Sequence, residues 1–218
     1  MRFSASWAAE ACNGTLTGPD SDLDGASFDT RTIAAGQLFI AVRGERDGHE
    51  FVASAFEAGA GACLVASDWP GERVHGFSYI EVGDPVVAIG LIAAAARAQF
   101  DGDVVAVTGS VGKTTTKELI RLAVSSCREV HASEASFNND LGVPVSILAA
   151  PESARVWVLE MGMRGFGEIA RLCRIAKPTV GVVTAVASAH SERVGGIDGV
   201  ARAKAELIEA LASDGLAV

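Results

Sequence analysis

The chain has 218 residues, of which 49% are hydrophobic and 6% aromatic, with 24 glycines and a net charge of −9. That length holds one large domain or two small ones, and small residues suit helices packed closely on a sheet. The acidic balance excludes a general nucleic-acid binder, which needs a basic surface, but leaves room for an anionic ligand at a local cationic or backbone N–H site.

Ser4 can cap a short first helix that Asn13-Gly14 would end. Gln37–Val42 is a short apolar run and is predicted as a strand. Gly44–Phe51 (GERDGHEF) reads as a turn-rich loop. VASAFEAGA follows as a helix stopped at Gly59, ACLVAS as a second strand, and SYIEVGDP as a third, ended by Asp84-Pro85. There a first domain, residues 1–83, is expected to give way to a second, residues 84–218. Residues 86–100 are predicted helical. Their apolar stretch VVAIGLIAAAA reads as a buried helix and is too short to span a bilayer.

VVAVTGS (Val104–Ser110) reads as a buried strand, followed by the loop GSVGK and a helix from about Thr114 to Ser126. SFNNDLGVPVSIL is loop and short helix. Strand RVWVLE (Arg155–Glu160), helix GEIARLCRIA, strand TVGVVTAV (Thr179–Val186) and a last helix complete the pattern. Strands alternating with helices of this length predict an α/β fold with a doubly wound parallel sheet. LAV at the end reads as the start of a further strand, so the second domain is expected to be incomplete.

The N-terminus has no sustained apolar segment and is not read as a signal peptide. Cys12, Cys63, Cys127 and Cys173 form no CxxC pair or Cys/His cluster, so zinc is not expected. Three of them lie in apolar or helical contexts and read as buried thiols, which favours a reducing compartment. No membrane insertion and a cytoplasmic location are expected.

VAVTGSVGKTTTKEL carries the most specific signal. A buried strand runs into glycines, then Lys113-Thr114, then a helix. Glycine lets the backbone approach phosphate oxygens, and the helix N-terminus offers free N–H groups. Lys113 can reach the β- and γ-phosphates, and the Thr114 hydroxyl can ligate Mg²⁺. The spacing is the compact GxxGKT, since Val107 holds the position where the longer GxxxxGK[ST] form has its first glycine.

Ligands of such sheets bind beyond the C-terminal strand ends. Glu160 closes one strand there, and His190 lies shortly past another. Singly, each has an ordinary reading, as a solvated acid and a loop histidine. Together, on one sheet edge beside the phosphate loop, they suggest a metal site. Lys204 belongs with them. On a helix of 3.6 residues per turn, Ile197, Val200, Leu207, Ile208 and Leu211 form one stripe, with Ala201 at its margin and Lys204 in its middle. Either Lys204 snorkels, with its amine in water, or its amine lies at the metal site. There a neutral lysine could take up CO₂ and become a carboxylate-like ligand.

These segments resemble the Mur ligases, ATP-dependent amide-forming enzymes of peptidoglycan precursor synthesis. SFDTRTIAAGQLFIAVRGERDGHEFVASAFEAGAGACLV is similar to the uridine-nucleotide-binding domain of that family. VTGSVGKTTTKE, NNDLGVPVSIL, EMGMRGFGEIARLC and AHSERVGGIDGVARAKAEL are similar to its central ATPase domain. NNDLGVP and EMGMRGFGEI are similar to the dipeptide-adding branch, because the preceding enzyme usually has a Thr-Thr-Pro segment in place of NNDLGVP.

The resemblance implies a small N-terminal α/β domain for the UDP-linked substrate, followed by an incomplete P-loop ATPase domain with a doubly wound parallel sheet. It implies that ATP lies on Gly109, Ser110, Val111, Gly112, Lys113, Thr114 and Thr115. It implies that Mg²⁺ is held by Thr114, Glu160, His190 and a carbamylated Lys204, with Lys113, His190 and Lys204 serving the chemistry. Asn138 and Asn139 would lie near the muramoyl peptide. Ser27, Thr30, Arg31, Asp47, Gly48 and His49 would handle the UDP-sugar. The implied substrates are UDP-N-acetylmuramoyl-tripeptide and D-alanyl-D-alanine, on a monomer.

Two departures from the family pattern stand out. Thr184 is followed by Ala185 where Asn is frequent, and Ala187-Ser188 replaces the usual Gly-Pro before Ala-His. Other readings are a different Mur-type ligase, such as the diamino-acid-adding enzyme, a folylpolyglutamate-synthase relative, which the FDTRT…DGHEF segment argues against, or a non-catalytic module that binds nucleotide without turnover.

Overall fold

The computed structural model describes residues 1–134, 137–187 and 191–218. The chain divides into two compact units, Met1–Ala95 and Ala96–Val218.

In the first unit, β1 (Arg2–Ser4) leads into α1 (Ala5–Ala11), where Ser4 accepts the Trp7 N–H as a cap. Asn13, at φ +54°, turns the chain out of that helix. Three short strands follow, β2 (Thr15–Thr17), β3 (Asp22–Asp24) and β4 (Ala26–Ser27), then β5 (Leu38–Ile40). Gly48–Phe51, expected as loop, forms a single 3-10 turn because Asp47 caps it by accepting the His49 N–H. After it come α2 (Val52–Glu57), β6 (Ala62–Ala66) and β7 (Tyr79–Val82). The sheet order is β2-β7-β6-β5-β4, with β1 and β3 paired separately. All its neighbours are parallel except β2 with β7. Phe39, Ala41, Cys63, Val65 and Tyr79 pack with Val52 and Ala55 of α2 to make the core. Parallel pairing sends the segments that follow β4 and β5 off the same sheet edge, the edge where such sheets bind ligands.

The expected boundary at residues 83 and 84 lies just ahead of α3 (Pro85–Ala98), and the division between the units falls within that helix. The helix is not buried all round as its composition suggested. Ala88, Ile89, Ile92, Ala93 and Ala96 are buried, while Val87 and Leu91 are exposed. Burial at spacings of three and four leaves one side of a helix facing out.

The second unit runs β8 (Asp103–Thr108), α4 (Lys113–Ser125), β9 (Val130–Ala132), α5 (Gly142–Leu148), β10 (Val156–Glu160), α6 (Glu168–Ala176) and β11 (Val180–Val183). A short helix α7 (Ser191–Val194), α8 (Ile197–Glu209) and β12 (Leu216–Ala217) complete it. The sheet order is β12-β11-β8-β10-β9, and every pairing is parallel, as the alternation of elements predicted.

Helices cover both faces of this sheet. Ile120 and Val124 of α4 pack on Val105, Val107, Val156 and Val158. On the other face Gly181 lies against α8, where a Cβ would come 3.2 Å from both Leu207 and Leu211. The stripe on α8 is narrower than its apolar residues suggested. Val200, Ala203, Lys204 and Leu207 are buried, but Ile197, in the first turn, is 53% exposed and Ala201 is also exposed. Glu206 ties α8 to α6, accepting the N–H groups of Gly167 at 2.6 Å and Ala170 at 3.0 Å. That carboxylate satisfies free donors at the positive end of α6.

With β8 between β10 and β11, the segments leaving these three strands emerge side by side on one edge. They carry Gly109–Gly112, the residues after Glu160, and Thr184 onward. Among the described residues, no helix is long and apolar enough to cross a membrane.

Candidate functional site

β8 is apolar on both faces, as a central parallel strand must be, and the loop that follows needs its glycines. Gly109 has φ +152° and Gly112 φ +84°, regions that side chains disfavour. At Gly109 space forbids one as well, because a Cβ would lie 1.9 Å from the Thr184 hydroxyl oxygen. Lys113 opens α4, and its Nζ donates to the Gly109 carbonyl at 2.9 Å. The first N–H groups of α4 have no intrahelical acceptor, and Val111, Gly112, Thr114 and Thr115 are exposed. Flexible glycines, free amides and one lysine form a cradle for a phosphate chain.

Ser110 has a different occupation. Its N–H donates to the Ala185 carbonyl at 2.8 Å, and its hydroxyl bonds to the Ala187 carbonyl at 3.1 Å and the Ala187 N–H at 3.0 Å. Thr184 donates to the Val111 carbonyl at 2.6 Å. The residues that depart from the family pattern, Ala185 and Ala187, therefore meet the loop through their backbones, where side-chain identity matters least. Ser188 and His190 lie outside the described residues.

Glu160 ends β10 opposite Val107 of β8 and is 2% exposed. Its carboxylate accepts the Thr114 hydroxyl at 2.7 Å and the Asn138 amide at 2.8 Å, and its N–H donates to the Ser133 hydroxyl at 3.1 Å. Both carboxylate oxygens thus have neutral donors, and no ion pair reaches Glu160 among the described residues. A buried carboxylate without a counter-charge suits a cation. Thr114, Glu160 and the phosphate cradle together fit Mg²⁺, which typically takes one or two protein oxygens plus phosphate and water.

Lys204 does not snorkel, since the residue is 4% exposed. It has no hydrogen-bond or ion-pair partner among the described residues. Burial, aided by the nearby charge of Lys113, brings its pKa down from 10.5 to about 8. A buried amine with a weakened hold on its proton can act as a nucleophile toward CO₂.

The structure thus joins Lys113, Thr114, Glu160 and Asn138 at one strand edge, with Lys204 within charge range of Lys113. Asn139 is turned to another task, its side-chain oxygen accepting the N–H groups of Leu141 and Gly142 at the start of α5. Thr184, Ser133 and Lys117 escaped the sequence reading as site residues. Lys117 had a usable signal, a lysine on the inward stripe of α4 with Ile120 and Val124.

In the first unit, Ser27, Thr30 and Arg31 share the turn after β4. The Ser27 hydroxyl accepts the Asp29 N–H at 3.1 Å. Arg31 clasps Asp29 with Nε at 2.9 Å and Nη2 at 2.5 Å, holding that carboxyl down at about 2. Thr30 is half-buried between them. Asp47 caps the 3-10 turn after β5, and Gly48 and His49 open it. His49 is buried, with Nδ1 on Asp47 at 2.6 Å and Nε2 accepting the Ala66 N–H at 2.9 Å. Accepting that N–H fixes the proton on Nδ1, so His49 ties the turn to the end of β6. Gly48 donates to the Val42 carbonyl at 2.8 Å.

A parallel sheet that presents a glycine cradle, a helix-opening lysine and a hydroxyl–carboxylate pair defines a phosphate-binding α/β protein of the P-loop kind. Residues 107–218 match the Mur ligase middle domain. The chain belongs to the Mur ligase family.

The UDP-N-acetylmuramoyl-tripeptide–D-alanyl-D-alanine ligase of Bacillus subtilis (strain 168) is 40% identical over 214 residues, covering 96% of this chain and 47% of that protein. The crystal structure of MurF from Acinetobacter baumannii superposes with a TM-score of 0.88 at 30% identity, covering 100% of this chain and 48% of the other. The MurF ligase of Thermotoga maritima, solved in complex with ADP, gives a TM-score of 0.76 at 34% identity, covering 88% of this chain and 44% of the other. The chain spans about half the length of the curated relatives it matches.

Proposed function

We propose that this chain supplies the UDP-substrate and phosphate-binding parts of an ATP-dependent ligase that joins D-alanyl-D-alanine to UDP-N-acetylmuramoyl-tripeptide in the cytoplasm. The observation that carries the reading is the Thr114–Glu160 hydrogen bond of 2.7 Å beside the glycine cradle. The likeness to the B. subtilis ligase at 40% identity supports the choice of substrates.

In this reading the peptide carboxylate attacks the γ-phosphorus of ATP, giving an acyl phosphate and ADP. The dipeptide amine then attacks the acyl carbon, phosphate leaves, and the amine gives up a proton. Gly109–Thr115 hold the phosphate chain, and Lys113 swings from the Gly109 carbonyl to neutralise the oxygens that gain charge. Thr114, Glu160, His190 and a carbamylated Lys204 are the residues that would hold magnesium. When bound, that ion supplies charge neutralisation on the phosphoryl oxygens. The carbamate forms when the neutral Lys204 amine adds to CO₂ and releases a proton. Asn138 keeps the Glu160 carboxylate aimed at Thr114. The turns at Ser27–Arg31 and Asp47–His49 serve the uridine-nucleotide end, with Asp29 and Ala66 holding Arg31 and His49 in place.

The test is ATP-dependent ligation by the protein extended to the length of its relatives, with D-alanyl-D-alanine and a diamino acid offered as competing acceptors. Dipeptide addition that is abolished in Lys113→Ala supports the proposal. Addition of the diamino acid reassigns the substrate, and nucleotide binding without turnover reduces the protein to a binding module. Loss of activity in Lys204→Ala, restored in part by added short carboxylates, supports the carbamate.

A further inference from the structure

Lys117 is 1% exposed, on the face of α4 that meets the sheet. An ammonium there is costly, and an apolar residue of similar volume would serve packing as well or better. Its contacts supply the reason for a lysine. Nζ donates to the Ser133 carbonyl at 2.5 Å and lies 3.0 Å from the Glu118 carboxylate. Glu118 also holds Arg121 at 2.7 Å.

Ser133 follows β9, the three-residue edge strand, and is fastened from three sides. Its N–H donates to the Val158 carbonyl at 3.0 Å, its carbonyl takes Lys117, and its hydroxyl accepts the Glu160 N–H at 3.1 Å. Glu160 in turn accepts the Thr114 hydroxyl. The hydrogen bonds form a closed ring, Thr114–Glu160–Ser133–Lys117, that begins and ends on α4 within one turn.

We infer that Lys117 is a positioning residue for the Glu160 carboxylate, acting through Ser133. The inference rests on the proposed metal site. Lys117 clamps the loose end of an edge strand to the helix that carries Thr114, so the two metal-facing oxygens keep their spacing. Because Glu118 offsets its charge, Lys117 acts through geometry rather than by neutralising Glu160.

The experiment measures ATP affinity of the chain with and without Mn²⁺ for wild type, Lys117→Met, Ser133→Ala and the double variant, with thermal unfolding alongside. Wild type is expected to bind ATP more tightly when Mn²⁺ is present. Lys117→Met should lose about fivefold of that gain, the worth of one net hydrogen bond, with metal-free ATP affinity unchanged. Ser133→Ala should lose as much, and the double variant no more than either, because the two act along one path. A gain kept in both single variants, or a parallel fall with and without metal, overturns the role of Lys117. If Lys117→Met does not fold, Ser133→Ala decides by the same two outcomes. A wild-type chain with no metal-dependent gain overturns the metal site itself, and this inference with it.

Discussion

Thr114 and Glu160 stand 46 positions apart and share a hydrogen bond of 2.7 Å. The parallel pairing of β10 with β8 sets Glu160 opposite Val107, one strand away from the loop that turns into α4. A hydroxyl at the start of a helix and an acid at the end of the next strand thus meet through sheet register alone.

Glu160→Gln keeps the shape but removes the charge and turns one of the two acceptor oxygens into an NH2 donor, which the Thr114 hydroxyl can accept while the amide oxygen keeps the Asn138 bond. Folding stability should change by no more than about 1 kcal/mol. The tightening of ATP binding by Mg²⁺ should fall by about tenfold or more, a loss of roughly 1.4 kcal/mol. Urea unfolding checks the first part, and titration calorimetry with ATP, with and without Mg²⁺, checks the second.

Gly109→Ala places a methyl group where the Thr184 hydroxyl already lies, 1.9 Å away, at φ +152°. Strain of this kind costs on the order of 1–3 kcal/mol. The variant should unfold at lower denaturant and bind ATP at least about tenfold more weakly, given that magnitude. Gly109→Ala combined with Thr184→Ala should recover part of the stability, because the 1.9 Å clash is gone while the backbone strain and the 3.1 Å contacts with the residue 184 Cβ and the Ala185 nitrogen stay.

Lys204 is a stability defect in the free chain. Its pKa falls from 10.5 to about 8 on folding, so below pH 8 it carries its proton in both states and the burial cost is felt in full. That cost is on the order of 3 kcal/mol. As pH rises from 8 toward 10.5, the folded chain releases a proton that the unfolded chain retains, and stability climbs. Lys204→Met should therefore be the more stable protein at pH 7, with the difference shrinking through alkaline pH. Urea unfolding in CO₂-free buffer reads this directly.

His131 of β9 gives the opposite flank of the pH profile. Burial lowers its pKa from 6.5, and the hydrogen bond to the Ser146 carbonyl works against that shift without reversing it. The unfolded chain binds a proton near pH 6.5 that the folded chain refuses until lower pH. Stability should fall as pH drops below about 6.5, and His131→Gln should flatten that limb in denaturation curves taken at successive pH values.

The second unit was readable because its signals are local. The phosphate loop needs only a strand, two glycines, Lys113 and a helix in succession, and β8, β10 and β11 are apolar enough to declare themselves. The first unit was harder. β1 to β4 are two or three residues long and exist by pairing, as β2 does against β7, which no window of sequence displays. β9 escaped for the same reason. The stripe on α8 exposed Lys204 as an anomaly but misjudged Ile197, because helical periodicity cannot say where a helix first reaches the sheet. Asn139 and Ser110 were grouped with ligand-facing residues by motif, and the structure gives their side chains to a helix start and a neighbouring loop. The partners of Ser133 come from α4 and β10, distant segments that only the folded sheet brings together.

Ser110 and Thr184 lace the cradle to the segment 184–187 through several hydrogen bonds. With each worth about 1 kcal/mol, the two loops cannot part without breaking the set. They behave as a single rigid block rather than as two independent flaps. A ligand that displaced the cradle would therefore have to strain the segment after β11 as well, since the same hydrogen bonds hold both.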